Sequence, residues 1–363
     1  MTERKSSHEL RRGWTTGACA TAAAAAAYRA LLTGAFPRTV MIHLPRGQTP
    51  EFNLSISEIG DGFARAGIIK DAGDDPDVTH GAEIIADVRP GDTGSGIVFR
   101  AGGGVGTVTL PGLPLDVGEP AINPAPRQMM ETAISEIAAE FNGGGDVEIT
   151  ISIPGGVRLA EKTMNGRLGI KGGLSVLGTT GIVIPFSCSS WIHSIHRGID
   201  VARAAHLSHI AAATGSTSED ALRKKFDLSE QALIDMGDFA GGLLKYLRKN
   251  PIPRLTIGGG FAKLGKLAQG HLDLHSSRSR LDMPNLSLMA KDAGASDKLA
   301  KAICAANSGL QAYELCRDAH IELADQVALR AREVAMAALA GGTDVRVLAY
   351  DRQGTLVGDS GGD

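Results

Sequence analysis

Short β-branched runs, each bounded by Gly, Asp or Pro, recur through the first half of the chain. They predict strands over 39–45, 51–57, 63–70, 82–88, 95–101 and 105–111. A helix follows over 126–141, opened by Asn123-Pro124, and 146–154 alternates as a further strand. Ahead of them all, six alanines from Ala22 to Ala27 predict a closely packing helix capped by Thr15 or Thr16. The second half changes rhythm. An apolar run over 174–178 ends in the turn Gly178-Thr179-Thr180-Gly181, and a helical stretch spans 191–205. A second apolar run over 209–215 leads into a helix capped by Ser216-Thr217-Ser218, with Glu219 and Asp220 in its opening turn. The stretch 232–238 suits strand or helix, 239–249 and 261–269 suit helix, and 254–260 reads as strand then loop. A helical tail over 296–340, broken near Gly309, and a strand pair over 345–350 and 354–358 close the chain. Strands in series predict an α+β domain over 1–160; alternating strand and helix predict an α/β domain over 161–363 with a mostly parallel sheet. Ligands on such a sheet gather at the carboxyl ends of its strands.

Composition changes this picture at one point. Of 363 residues, 47 are glycine, about 13% against a usual level near 7%. The glycines cluster without a period, as in Gly102–Gly104 and Gly258–Gly260, so they predict tight turns or backbone closing on a large ligand. The 40 acidic and 37 basic residues leave a net charge of −3, which gives no case for nucleic acid or an anionic membrane. No window of about 18 strongly apolar residues offers a membrane span. Two Trp and four Tyr argue against a stacking surface for nucleobases. Cys19, Cys188, Cys304 and Cys316 are scattered, with no CxxC and no zinc-like histidine spacing, as in a protein of the reducing cytoplasm. The basic Arg4, Lys5, Arg11 and Arg12 before the alanine run imitate a twin-arginine export signal. Alanine is a weak hydrophobe, however, and Tyr28-Arg29 interrupts the run soon after, so it makes a poor export core.

Candidate chemistry lies in the loops. Thr15-Thr16-Gly17, Gly178–Gly181 and Thr214–Thr217 each stand before a predicted helix, where free amides and the helix dipole favour a carboxylate or ribose oxygens. GxGxxG and Walker loops are absent. Asp71, Asp74, Asp75 and Asp77 crowd one loop, but a calcium loop opened at Asp71 would put Ala82 where a glutamate is required. That loop is a solvated turn, or one that orients a ligand. Lys263 and Lys266 share a helix face with His271 and His275 close behind; they suit a ligand bearing carboxylates, or simply a wet surface. His193 and His196 lack a third metal ligand, and no metal site is expected.

Five segments in order, RRGWTTGACATAAAAAA, KDAGDDPDVTHGAEI, GGGVGTVTLPGLPLDVGEPAINPAPRQMM, GRLGIKGGLSVLGTTGIVIPFS and IGGGFAKLGKLAQGHLDLHS, closely resemble the cobalt-precorrin-5B (carbon 1)-methyltransferases of oxygen-independent vitamin B12 synthesis. Gly237-Asp238 stands where that family often has Gly-Asn, and GGGFAKLGK departs from its usual Gly-x-x-Gly-Lys. The resemblance implies a two-domain cytoplasmic enzyme that uses S-adenosylmethionine to methylate carbon 1 of a cobalt-bearing tetrapyrrole, giving cobalt-precorrin-6A. It also places the alanine run in the working enzyme. On that footing Gly178, Thr179, Thr180, Gly181, Thr214, Gly215, Gly258 and Gly259 are expected at the edge of the parallel sheet around S-adenosylmethionine, with Asp235 on its ribose. Arg11, Arg12, Thr15, Thr16, Lys171, Lys266 and His275 are expected to hold the carboxylates of the tetrapyrrole. No residue is assigned as catalytic. A non-catalytic tetrapyrrole carrier and an exported binding protein are the competing readings, and a homo-oligomer is compatible with the sequence.

Overall fold

The computed structural model describes residues 10–361, so the basic positions Arg4 and Lys5 lie outside the described residues. The chain divides into two compact units, one ending at Cys188 and the other starting at Ser189.

In chain order the first unit carries β1 (Gly13–Trp14), α1 (Thr16–Thr33), β2 (Thr39–Met41), β3 (Glu51–Asn53), β4 (Ile56–Gly60), β5 (Phe63–Ile69), β6 (Glu83–Pro90) and β7 (Ile97–Ala101). It continues through β8 (Gly104–Val105), β9 (Thr107–Val108), α2 (Pro124–Phe141), β10 (Val147–Ser152), α3 (Gly156–Ala160), β11 (Ile170–Lys171), β12 (Gly173–Leu174) and β13 (Ile182–Val183). A five-stranded sheet in the order β4-β5-β6-β10-β7 is antiparallel except where β10 meets β7. Along β10 the residues Val147, Ile149 and Ile151 are buried and their neighbours are not, the period of a strand with one face on the core. The alanine helix α1 has no solvent stripe over most of its length: Ala22–Ala27 are each at most 1% exposed. A helix apolar on all sides must be covered on all sides, and α2, β5 and β6 all pack on it. Methyl side chains let those backbones come close.

The division at Cys188 corrects the expected boundary at 160. β11 pairs with β9 and β12 with β8, and these ladders tie residues 170–174 back into the first unit. A second tie is steric. Gly104 has φ +82°, and a Cβ placed on it would stand 2.0 Å from the Ile153 carbonyl oxygen. A Cβ on Gly173 or Gly156 would stand 2.2 or 2.3 Å from the Gly104 oxygen. Three stretches of bare backbone meet at that point, so these glycines serve chain-on-chain packing and not a ligand.

The second unit carries most of α4 (Cys188–Ala204), then β14 (His209–Ala213), α5 (Ser216–Phe226), β15 (Leu233–Asp235), α6 (Ala240–Leu247), β16 (Arg254–Gly260) and α7 (Phe261–Ala268). It ends with α8 (Met283–Asp292), α9 (Asp297–Cys304), α10 (Gly309–Asp318), α11 (Leu323–Leu339), β17 (Asp344–Tyr350) and β18 (Leu356–Asp359). Its sheet runs β15-β14-β16-β17-β18, parallel except for the edge strand β18. Ala211 and Ala213 pack with Leu222 of α5 on one face, while Ile210 and Ala212 join the larger core with α6, α7 and α11 on the other. The expected α+β and α/β classes are both present. From β14 the chain crosses to β15 on one side, then to β16 on the other. The connections therefore part at the carboxyl ends of β14 and β16, the topological switch point where open α/β sheets bind ligands.

Candidate functional site

In the first unit, residues 10–16 form a strap across the acidic loop. The Trp14 amide donates to the Asp71 carbonyl at 2.7 Å, and the Asp74 amide to the Arg11 carbonyl at 2.9 Å. Arg11 grips Asp71 with both terminal guanidinium nitrogens, Nη1 and Nη2, at 2.5 and 2.9 Å. That grip, with the Gly73 amide, holds the Asp71 carboxyl down at about 2. A carboxylate depressed in the folded state stabilises above its unfolded pKa near 3.9 and loses that contribution as pH falls toward the folded value. Wild-type protein is therefore expected to show a loss of stability between about pH 4 and pH 2 that Asp71→Asn lacks, measured as urea midpoints across that range. Superimposable pH profiles would refute the coupling.

Behind the strap Lys70 is 2% exposed, ion-paired with Asp77 and donating to Thr79 Oγ1 at 2.6 Å. Burial pushes the Asp77 carboxyl up, but Lys70 and Thr79 outweigh it and the net shift is down. Burial also pushes the neighbouring Cys19 thiol up to about 12, against the pull of Lys70, which leaves it inert as a nucleophile. The carboxylates of the acidic loop thus already have partners, within the loop and from Arg11 and Phe186.

The turn Gly178–Gly181 belongs to this first unit and lies against the start of α1. The Thr15 amide donates to the Gly181 carbonyl at 3.0 Å and the Gly17 amide to the Leu177 carbonyl at 2.8 Å. Thr15 caps α1 by accepting from the Ala18 amide at 3.1 Å. The expectation of free amides at this helix end is corrected, because Gly17 and Ala18 already have partners. Gly178 adopts φ +132°, and a Cβ there would strike Thr15 Oγ1 at 2.2 Å. Thr16 is buried, Thr179 exposed, and Thr180 Oγ1 accepts from the Ile182 amide at 3.3 Å. Leu177, Ile184 and Phe186 stand 48%, 50% and 65% exposed along the same segment. Phe186 holds φ +55°, an outlier for a bulky side chain, with its amide on Asp75 Oδ1 at 2.8 Å. Arg12 and Lys171 are exposed cations with no partner among the described residues. Deeper in, Asn165 is buried, donating to the Gly173 carbonyl at 3.0 Å and accepting from Ser175 at 3.0 Å. Nothing in the sequence singled it out, since a lone Asn between turns carries no spacing signal.

The second unit places Thr214, Gly215, Asp235, Gly258 and Gly259 at neighbouring strand ends. The Thr214 amide donates to the Gly258 carbonyl at 3.0 Å, and Ala213 pairs in register with both Asp235 and Gly258. The N-cap of α5 is Gly215, with no side-chain cap, in place of the expected Ser216–Ser218. The amides of Ser216, Thr217 and Ser218 have no partner among the described residues. Gly260 opens α7 in the same uncapped way. A Cβ on Gly215 or Gly260 would meet nothing within 4 Å, so open space borders both helix starts. Gly258 and Gly259 instead make room for Leu222 and Thr214. Lys263, from the first turn of α7, donates to the Thr214 carbonyl at 2.7 Å and lies 3.1 Å from Asp238 Oδ1. That contact misses hydrogen-bonding angles, and Asp238 Oδ1 is buried without a hydrogen bond among the described residues. Lys266 is turned inward, donating to the Leu274 carbonyl at 2.8 Å, and His275 Nδ1 shares a hydrogen bond with Ser277 at 2.7 Å.

The expected cofactor set is therefore divided. Gly178–Gly181 stands in the first unit and not at the edge of the parallel sheet; the other members share the second. The expected tetrapyrrole set divides likewise, with Arg11, Arg12, Thr15, Thr16 and Lys171 in the first unit and Lys266 and His275 in the second. Among the described residues no cluster of His, Cys, Asp and Glu could hold a metal ion, and no helix is long and apolar enough to cross a membrane.

The family model CbiD matches residues 3–185, and CbiD, C-terminal domain, matches residues 273–361. The chain belongs to the CbiD family. Two relatives named cobalt-precorrin-5B C(1)-methyltransferase, from Brucella anthropi and Paramagnetospirillum magneticum, are each 58% identical to it. The first alignment covers 96% of this chain and 95% of the relative, the second 97% and 98%. A crystal structure of a cobalamin biosynthesis protein (cbiD) from Archaeoglobus fulgidus is 33% identical over 74% of this chain and 83% of that one, with a TM-score of 0.41. The first CbiD match ends three residues before the border between the two units, at 185 against 188.

Proposed function

We propose that this CbiD protein is a cytoplasmic, S-adenosylmethionine-dependent methyltransferase that methylates carbon 1 of cobalt-precorrin-5B, giving cobalt-precorrin-6A in cobalamin biosynthesis. The observation that carries the reading is 58% identity, over nearly the whole of both chains, to relatives bearing that name. The second unit fits the donor: uncapped helix starts at Ser216 and Phe261 favour its carboxylate, and Asp235 suits its ribose hydroxyls. When bound, S-adenosylmethionine supplies an electrophilic methyl group. The protein's task is to align that group with the ring carbon and exclude water, since positioning alone contributes up to roughly 7–11 kcal/mol in such reactions. To the first unit we assign the tetrapyrrole. Leu177, Ile184 and Phe186 suit an apolar ring face, and Arg12 and Lys171 suit its carboxylates. Arg11 is engaged with Asp71 and is set aside from that role.

The deciding experiment supplies methyl-labelled donor and cobalt-precorrin-5B and follows label and mass. A gain of one methyl group supports the reading; bound but unmodified tetrapyrrole would make the protein a carrier. A finer test is calorimetry with S-adenosylhomocysteine. Losing a charged hydrogen bond costs about 1.5–3 kcal/mol, so Asp235→Ala is expected to weaken binding about tenfold to hundredfold, while Thr179→Val leaves it unchanged. Wild-type affinity in Asp235→Ala would move the ribose elsewhere.

A further inference from the structure

The chain has two tryptophans, one in each unit. Trp14 packs edge-on against Phe52, ring centres 5.7 Å apart. Trp191, near the start of α4, remains 46% exposed. A loosely held surface tryptophan would need no explanation, but this one is fixed. Its Nε1–H donates to the main-chain oxygen of Asp235 at 3.0 Å. Gly237 lies against the same ring, close enough that a Cβ there would sit 3.3 Å from Cε2 and Cζ2. Phe239 flanks it at 6.3 Å between ring centres, tilted by 51°. The polar tip of the indole is thus tied to the last residue of β15, and much of its apolar surface is left to solvent. An aromatic ring held in this way is pre-organised to stack, because little side-chain freedom remains to be lost.

Its address gives the partner. Asp235 is the acid we place on the donor's ribose, and in a nucleoside the base is bonded directly to that sugar. A sugar held at the end of β15 therefore puts a purine beside whatever ring adjoins Asp235. We infer that Trp191 is the stacking platform for the adenine of the methyl donor. The inference rests on the proposal that the donor occupies the strand ends of the second unit. It also limits the expectation drawn from the scarcity of aromatics: one ring suffices for one base.

The test uses the full-length protein in two variants. In Trp14→Phe, all tryptophan emission comes from Trp191. Titration with S-adenosylhomocysteine and with adenosine is expected to quench that emission to saturation, at the dissociation constants found by calorimetry. Methionine, which lacks the base, is expected to leave it unchanged. Trp191→Leu, checked for native far-UV circular dichroism, is expected to bind S-adenosylhomocysteine about tenfold or more weakly, the range seen when a base loses its aromatic partner. Calorimetric binding with unaltered Trp191 emission and wild-type affinity in Trp191→Leu would overturn the inference while leaving the donor reading intact. No calorimetric binding by wild-type protein would overturn the donor reading, and the inference with it. If Trp191→Leu misfolds, the emission titration in Trp14→Phe decides alone.

Discussion

Gly104→Ala is expected to lower the stability of the first unit by about 2–5 kcal/mol, from two costs that add. Alanine in the left-handed region is disfavoured by roughly 1–2 kcal/mol. Forcing its methyl against well-packed neighbours costs a further 1–3 kcal/mol or so. Here the neighbour is the Ile153 carbonyl, 2.0 Å from the new carbon, and backbone cannot turn aside as a flexible side chain can. At about 2–4 °C per kcal/mol for a unit of this size, the thermal midpoint should fall by roughly 4–20 °C. Trp14 emission reports this transition from within the unit. A midpoint within 2 °C of wild type would show that the backbone crossing at Gly104 is looser than its geometry implies.

Lys70→Ala is the second large effect. It removes a buried cation and leaves Asp77 without its ion-pair partner and Thr79 Oγ1 without its donor. Breaking one partner from a buried ion pair costs about 3–5 kcal/mol, and the partial exposure of Asp77, 24%, argues for the lower end. Urea unfolding measures the loss. The double variant Lys70→Met with Asp77→Asn should recover part of it, because no unpaired charge then remains. Equal losses in the single and double variants would assign the effect to packing and not to charge.

Local pattern made much of the fold legible. The strand expected over 63–70 is β5, at Phe63–Ile69, because its β-branched residues sit between a Gly and an Asp that end it. The alternation after residue 190 points to the parallel sheet, since β14, β15 and β16 are each a short run followed by a helix. Long-range pairing was not legible. The strand expected over 105–111 is split between β8 and β9, which pair with different partners across Gly106. Those partners lie more than 60 residues away, and no local periodicity reveals them. The helical tail over 296–340 is three helices, separated where Ser308 caps α10 and where α11 starts at Leu323. α3 and α8 carried too weak a pattern to be expected at all.

The same limits apply to the candidate site. Glycine-threonine spacing singled out three loops but not which unit each joins. Gly178–Gly181 reads like Thr214–Thr217 in the sequence, yet its partner is Thr15. Arg11 looks free in the sequence, whereas Asp71 occupies it. Trp191 went unmarked because its meaning comes from a hydrogen bond to Asp235, 44 residues on.

The border at Cys188 also sets where the gene can be cut for dissection. Separating the halves at residue 160 would strip β8 and β9 of their partners and leave raw strand edges on both fragments, an invitation to aggregate. Co-expressing residues 1–188 with 189–363 keeps every described ladder inside one polypeptide.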